Sequence, residues 1–284
     1  LTQLLIPMLY TIRLLSYLAL YLVLKRSKLD IPRFIFLFSG LIALLIGLIQ
    51  YFYMPDMRVF QYLGWDDHLY RLVGTFLDPG FTGLIIVFGG IISFVKKKYL
   101  LLAFFIISLA FTYGRAGYLA FAASLFLASL MFKKIKAFLI ILACFLAVVF
   151  LLPKPAGEGV NLARTYSISS RIDNYKETFE IFKKSPVFGI GFNNLCLYKE
   201  NTTSHSCSGS DSSLLLILAT TGIVGLMIFA ASVLKIISDL RRGFYTKTFL
   251  VLLSAVFIHS LFVNSLFYPW VMGYLAIMAS IVDF

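Results

Sequence analysis

Acidic residues are scarce in this chain: 13 Asp and Glu stand against 25 Lys and Arg, and only 13% of its 284 residues are charged. So little charge excludes a soluble domain, because 60% of the residues are hydrophobic and mean hydropathy is +0.92. A soluble fold of this length could not hide that much apolar surface. Strict apolar–polar alternation is missing, which excludes a transmembrane β-barrel. Low-complexity segments and a clear internal repeat are missing too, and with the repeat goes one hallmark of transporters. Cysteines number three. Residue 1 is Leu, close to an apolar run, with no signal peptide or basic leader before it. The expectation is a fragment whose upstream spans are absent.

What is present is a succession of hydrophobic runs of about 16–24 residues, matched to a bilayer core of roughly 30 Å. They predict an all-α, polytopic transmembrane bundle of about nine spans, at 4–24, 34–53, 79–95, 99–113, 117–132, 137–152, 213–237, 246–264 and 267–282. Three regions follow: N-terminal helices over 1–152, a large outer loop over 153–212, and C-terminal helices over 213–284. The net charge of +12 invites a nucleic-acid partner, but its distribution excludes one. Lys25, Arg26, Lys28 and Arg33, then Lys96 to Lys98, then Lys133, Lys134 and Lys136, then Arg241, Arg242 and Lys247 fall on alternate connections. The positive-inside rule makes that side cytoplasmic. Membrane lipids are contacted throughout, and headgroup binding is a weaker second reading of the basic clusters.

Four segments then face outward: 54–78, the turn at 114–116, the loop at 153–212 and a turn near 265–267. A loop of about sixty residues far exceeds ordinary connections and reads as functional. Within it, "SSRIDNYKETFEIFKKSP" predicts a helix. Ser170 with Asp173 resembles a capping box, and Ile172, Tyr175, Phe179 and Phe182 form an apolar face at helical spacing. Pro186 ends it, and Gly189-Ile190-Gly191 makes a turn. Cys196 and Cys207 share this oxidising side, so a disulfide and two unrelated thiols stand as equal readings. A zinc site there would have only His205 to add. Cys144 reads as a small apolar residue inside a span.

The outward residues include several candidates for anion chemistry. Arg115 sits between Gly114 and Gly117, which admit close approach, and its planar fork suits phosphate better than simple anchoring. Arg171 opens the outer-loop helix, where the macrodipole disfavours a cation unless an anion or a salt bridge to Asp173 or Glu177 offsets it. Arg71 is a third outward guanidinium. Asp78 and Pro79 read first as the N-cap and first residue of a span, and substrate contact by Asp78 comes second. Arg13 lies mid-span, a candidate for the path of a lipid phosphate. His259 and Asn264 suit interhelical hydrogen bonding. Asp211, in "SDSS" ahead of a span, reads equally as part of an N-cap cluster and as a general base.

In order, "RLVGTFLDPGFTG", "YGRAGYLAF", "SRIDNYKETFEIFKKSPVFGIGFNN" and "SDSSLLLILATTGIVGL" resemble the O-antigen ligase and polymerase family of bacterial envelope biosynthesis, over about residues 68 to 230. The resemblance implies a GT-C-like integral-membrane glycosyltransferase that uses glycans carried on undecaprenyl pyrophosphate. An acceptor hydroxyl attacks the anomeric carbon and lipid pyrophosphate leaves with inversion. No metal or other cofactor is implied, so Arg115 and Arg171 are expected to hold the pyrophosphate. Arg71, Asp78, Gly189, Gly191 and His205 would add substrate contacts. Counting back from Gly222, the catalytic His of ligases falls on Asp211, with His205 six residues early. An Asp at that place is similar to polymerase-type members. The expectation is therefore a polymerase of lipid-linked repeat units at the outer face of a bacterial cytoplasmic membrane, in which Arg115, Arg171 and Asp211 converge on one outward cavity. A chain-length regulator protein is a further partner the resemblance allows. A ligase acting on lipid A core or protein, and a flippase, are the rivals.

Overall fold

The computed structural model describes residues 2–27, 35–63, 66–199, 207 and 209–282. Among them there is no strand, only an isolated bridge between Asp56 and Leu69. The helices are α1 (Thr2–Ser27), α2 (Ile35–Tyr53), α3 (Pro79–Val95), α4 (Tyr99–Ala110), α5 (Arg115–Met131), α6 (Ile135–Leu151), α7 (Tyr166–Lys184), α8 (Ser213–Asp239), α9 (Phe244–Ser260) and α10 (Pro269–Ser280). Each apolar run expected as a span is helical, as backbone groups in an apolar setting must be satisfied internally. Two described helices, Pro7–Ser27 within α1 and Ser213–Asp239, are long and apolar enough to cross a membrane by themselves. The other apolar helices are shorter. Large apolar side chains also stand uncovered along helix faces, among them Met8, Ile12 and Leu15 of α1 and Leu139, Ile140 and Phe150 of α6.

The chain divides into two compact units. One comprises residues 31–164 and 247–259, the other 1–30, 165–246 and 260–284. In the first, α3 is the hub. It packs against α2, α4 and α5, and 15 of its 17 residues are buried, as expected of a helix apolar on every side. Its start is coded locally: Asp78 accepts a hydrogen bond from Phe81 N at 2.8 Å and Pro79 occupies the first turn. In the second unit, α1 pairs with α10 and α7 with α8. Ile181, Leu195, Leu216 and Ala219 form a buried cluster there, backed by Phe182, Ile190 and Phe267.

α8 is broken. Gly222 has φ 68° and ψ −170°, so one half-helix precedes it and another follows. No broken span is legible in the hydropathy, which runs evenly across the break. The segment after α7 fills the gap. Ile190 N and Gly191 N donate to Ala219 O and Thr220 O (3.1 and 2.9 Å), and Ile223 N and Val224 N donate to Pro186 O and Val187 O (2.9 and 3.2 Å). The break therefore leaves no group of this set unpaired, the condition for irregular backbone at membrane depth.

Candidate functional site

In the unit containing α3, the guanidiniums of Arg71 and Arg164 meet at the turn between α4 and α5, where Arg115 opens α5. Tyr113 there is buried, with φ +49°, and its hydroxyl donates to Pro153 O at 2.6 Å. The next residues are Gly114, whose N–H donates to Thr112 Oγ1 at 3.2 Å, and Arg115, the first residue of α5. Arg71 donates through Nε to Thr112 O (3.0 Å) and through Nη2 to Tyr113 O (3.5 Å). Arg164 donates through Nη2 to the same Tyr113 O (3.2 Å) and through Nη1 to Gly159 O (2.8 Å) and Asn161 O (2.9 Å). Arg115 Nη1 donates to Leu162 O (3.3 Å) and Arg164 O (2.9 Å). Sharing one acceptor keeps nitrogens of Arg71 and Arg164 within about 7 Å of each other.

The segment carrying Arg71 is held from several sides. Leu72 N donates to Phe111 O at 2.9 Å, Val73 N donates to Gln50 Oε1 at 2.9 Å, and Thr82 Oγ1 donates to Val73 O. A cavity of about 760 Å³ lies alongside, lined by Tyr113, Phe150, Leu152, Lys154 and Leu162 among others. Just upstream, Asp66, His68 and Asp78 each offer one polar atom within 4.8 Å of the others. His68 is buried, and its imidazole is held down to about 3, chiefly by burial and then by the charges of Arg71 and Arg164. Burial pushes the Asp78 carboxyl up, partly offset by the Phe81 N–H and by Arg71. This trio is the group of donors among the described residues that could close on a metal ion. The guanidiniums that hold His68 neutral also oppose a cation there.

In the other unit, Arg171 on α7 and Asp211 at the start of α8 each lie within electrostatic reach of Tyr175. Asn174 Oδ1 accepts from Asp211 N (2.9 Å) and from Ser210 Oγ (3.3 Å). Thr178 Oγ1 donates to Asn174 O (2.7 Å) and reaches Ser210 Oγ (3.2 Å). The Tyr175 hydroxyl donates to Leu261 O at 2.7 Å. Burial pushes that phenol up, Arg171 lowers it and Asp211 raises it, so both charges act on one ring. The cap of α8 is Ser212, whose side chain accepts from Leu215 N at 3.4 Å.

Two expectations for α7 are corrected. The helix begins at Tyr166, with Thr165 at the N-cap position and no side-chain cap bond, so Ser170 and Asp173 form no capping box. Arg171 is the sixth residue of the helix rather than its opening. The macrodipole argument lapses, because that effect fades beyond the first turn. The expected apolar face holds in part: Tyr175 and Phe182 are half-buried, whereas Ile172 and Phe179 are each 44% exposed. Thr178 and Ile181 are buried beside them, and contacts with residues 210–211 draw polar Asn174 and Thr178 inward, a choice that apolar periodicity cannot register.

Gly189 and Gly191 have φ +70° and +93° and belong to the segment bridging the α8 break. A Cβ on Gly189 would lie 2.3 Å from the Thr220 carbonyl carbon. Cys196 and Cys207 form a disulfide with Cα atoms 4.7 Å apart, and Lys199 Nζ donates to Gly209 O at 2.8 Å, closing the loop back on itself. His205 lies outside the described residues. Arg13 sits with its guanidinium 4.3 Å from the Tyr10 ring centre and donates to Phe267 O at 3.3 Å. Asn264 Oδ1 accepts from Ser213 Oγ at 3.1 Å. Arg164, His68 and Asn174 were not legible as site residues. Arg164 lies in a loop without a motif, and only its count as a further outward guanidinium could have flagged it.

Residues 100–230 match the family model described as O-antigen ligase. A comparison with curated proteins gives no significant match. The matched stretch runs from α4 past the break in α8 and contains Arg115, Arg164, Arg171, Asn174 and Asp211. This match and the exposed apolar helices point to a membrane protein.

Proposed function

Because residues 100–230 match the family model described as O-antigen ligase, we propose that the chain is a GT-C-like, nine-span polymerase of undecaprenyl-pyrophosphate-linked repeat units. It acts at the outer face of a bacterial cytoplasmic membrane. The observation that carries this reading is the meeting of the Arg71 and Arg164 guanidiniums at Tyr113 O, with Arg115 bonded to the Arg164 carbonyl. Two like charges about 7 Å apart repel by about 2 kcal/mol at an effective dielectric of about 20. A bound pyrophosphate turns that cost into attraction, and bidentate forks match its oxygens. The adjacent apolar cavity, about 760 Å³, suits the first isoprenoid units of the lipid.

In this mechanism an acceptor hydroxyl attacks the anomeric carbon while the bond from that carbon to the phosphate oxygen breaks. The bond's electron pair leaves with the pyrophosphate, and the configuration inverts. The arginines stabilise the charge that develops on the leaving group. Asp211, its backbone fixed by Asn174, takes the acceptor's proton, and Arg171 adds positive charge beside it. The reading requires no metal. A transporter is disfavoured by the closed break in α8. Transporters use the free ends of discontinuous helices to hold ions and substrates, and here those ends are bonded to residues 186–191.

The test is the glycan pattern of a deletion strain. A polymerase predicts loss of the long-chain ladder with one repeat unit still attached to lipid A. Loss of every repeat from lipid A would make the protein a ligase, and units trapped on the cytoplasmic face would make it a flippase.

A further inference from the structure

We propose that His68 is a further ligand of the anion held by Arg71 and Arg164, donating an imidazole N–H to a phosphoryl oxygen. The proposal rests on the pyrophosphate reading of the arginine cluster. His68 is 7% exposed, and its Nε2 is buried without a hydrogen-bond partner among the described residues. Buried polar atoms are nearly always paired, so such an atom points to a missing partner. The backbone around it is held in place. Met57 N donates to His68 O at 2.8 Å, and the bonds of Tyr70 N to Pro55 O and Leu72 N to Phe111 O fix the chain on either side of Arg71.

The charged groups acting here are Asp66, Asp78, Arg71 and Arg164. The carboxylates would favour a cation and the guanidiniums an anion. At the ring, burial first and then the charges of Arg71 and Arg164 keep the imidazole neutral. A divalent cation would meet the same field with twice the charge. Asp78 also has one oxygen committed to Phe81 N. An anion fits what remains: it pairs with the arginines and accepts from the idle imidazole nitrogen.

The test is calorimetry on the full chain in detergent, with inorganic pyrophosphate as probe. His68→Ala should weaken binding by about tenfold, whereas His68→Gln, which keeps a donor, should recover much of the affinity. Unchanged affinity in both variants would overturn the proposal while leaving the arginine site standing. Intact binding in both Arg115→Lys and Arg164→Gln would instead remove the arginine site. Failure of the wild type to bind would overturn both readings. Mn²⁺ binding to the free protein that is lost in His68→Ala would assign a cation and overturn the anion. Farnesyl diphosphate binding more tightly than pyrophosphate supports a lipid-borne ligand, and equal affinity would overturn the link to the lipid substrate.

Discussion

Replacing Gly222 by Ala should unfold the core of the unit that carries Arg171 and Asp211. The new Cβ would lie 2.2 Å from Val187 O, 2.4 Å from Val187 C and 2.6 Å from Phe188 N. All three are main-chain atoms, so no side-chain rotation relieves the clash. The backbone at φ 68° and ψ −170° is also a region essentially reserved for glycine, with a cost of about 1–3 kcal/mol for other residues. Relief requires residues 186–191 to withdraw, which breaks the four bonds to the halves of α8. At about 1 kcal/mol net per bond, the combined loss is about 5–7 kcal/mol, comparable to the whole stability of many domains. Thermal unfolding in detergent should show the midpoint falling by about 10 °C or more, at roughly 2 °C or more per kcal/mol for chains of this size. Gly83→Ala is the control: its Cβ would meet Leu109 Cδ1 at 3.6 Å, ordinary contact, so its midpoint should hold or rise slightly. A Gly222→Ala protein melting within about 2 °C of wild type would refute the account of the break.

Arg115→Lys should cut polymerisation by about 1.5–3 kcal/mol of transition-state stabilisation at normal membrane levels; wild-type glycan output would make Arg115 an interfacial anchor. Asn174→Ala removes the acceptor of Asp211 N and should lower turnover by about 1–2 kcal/mol without weakening pyrophosphate binding, as calorimetry would report. His68, held down to about 3 when folded, is protonated near 6.5 when unfolded. Its stability contribution is thus fully present above pH 6.5 and lost as pH falls toward 3, by up to about 1.4 kcal/mol per unit. Melting curves between pH 7 and 5 should fall more steeply for wild type than for His68→Gln, and equal slopes would refute the buried neutral imidazole.

Local order along the chain was enough to determine several features. Apolar runs mark where the helices lie, because a backbone surrounded by apolar side chains must bond to itself. Asp78 and Pro79 start α3 as their types dictate, since capping involves atoms three residues apart. The spacing of Cys196 and Cys207 left bridge and free thiols open, and the closure of the loop brought them to 4.7 Å. Tertiary structure decided the rest. The buried face of α7 was chosen by residues 210–211 and Leu261, so polar Asn174 and Thr178 turned inward while Ile172 and Phe179 stayed exposed. Gly222 breaks α8 only because a distant segment supplies partners for the freed N–H and C=O groups. Arg71 and Arg164 meet at one carbonyl oxygen, and His68 lies in their field, although no pattern in the intervening chain relates them. Periodicity and capping act through neighbours a few residues apart. A charged cluster and a mended helix break depend on distances between segments remote in sequence, which only folding sets.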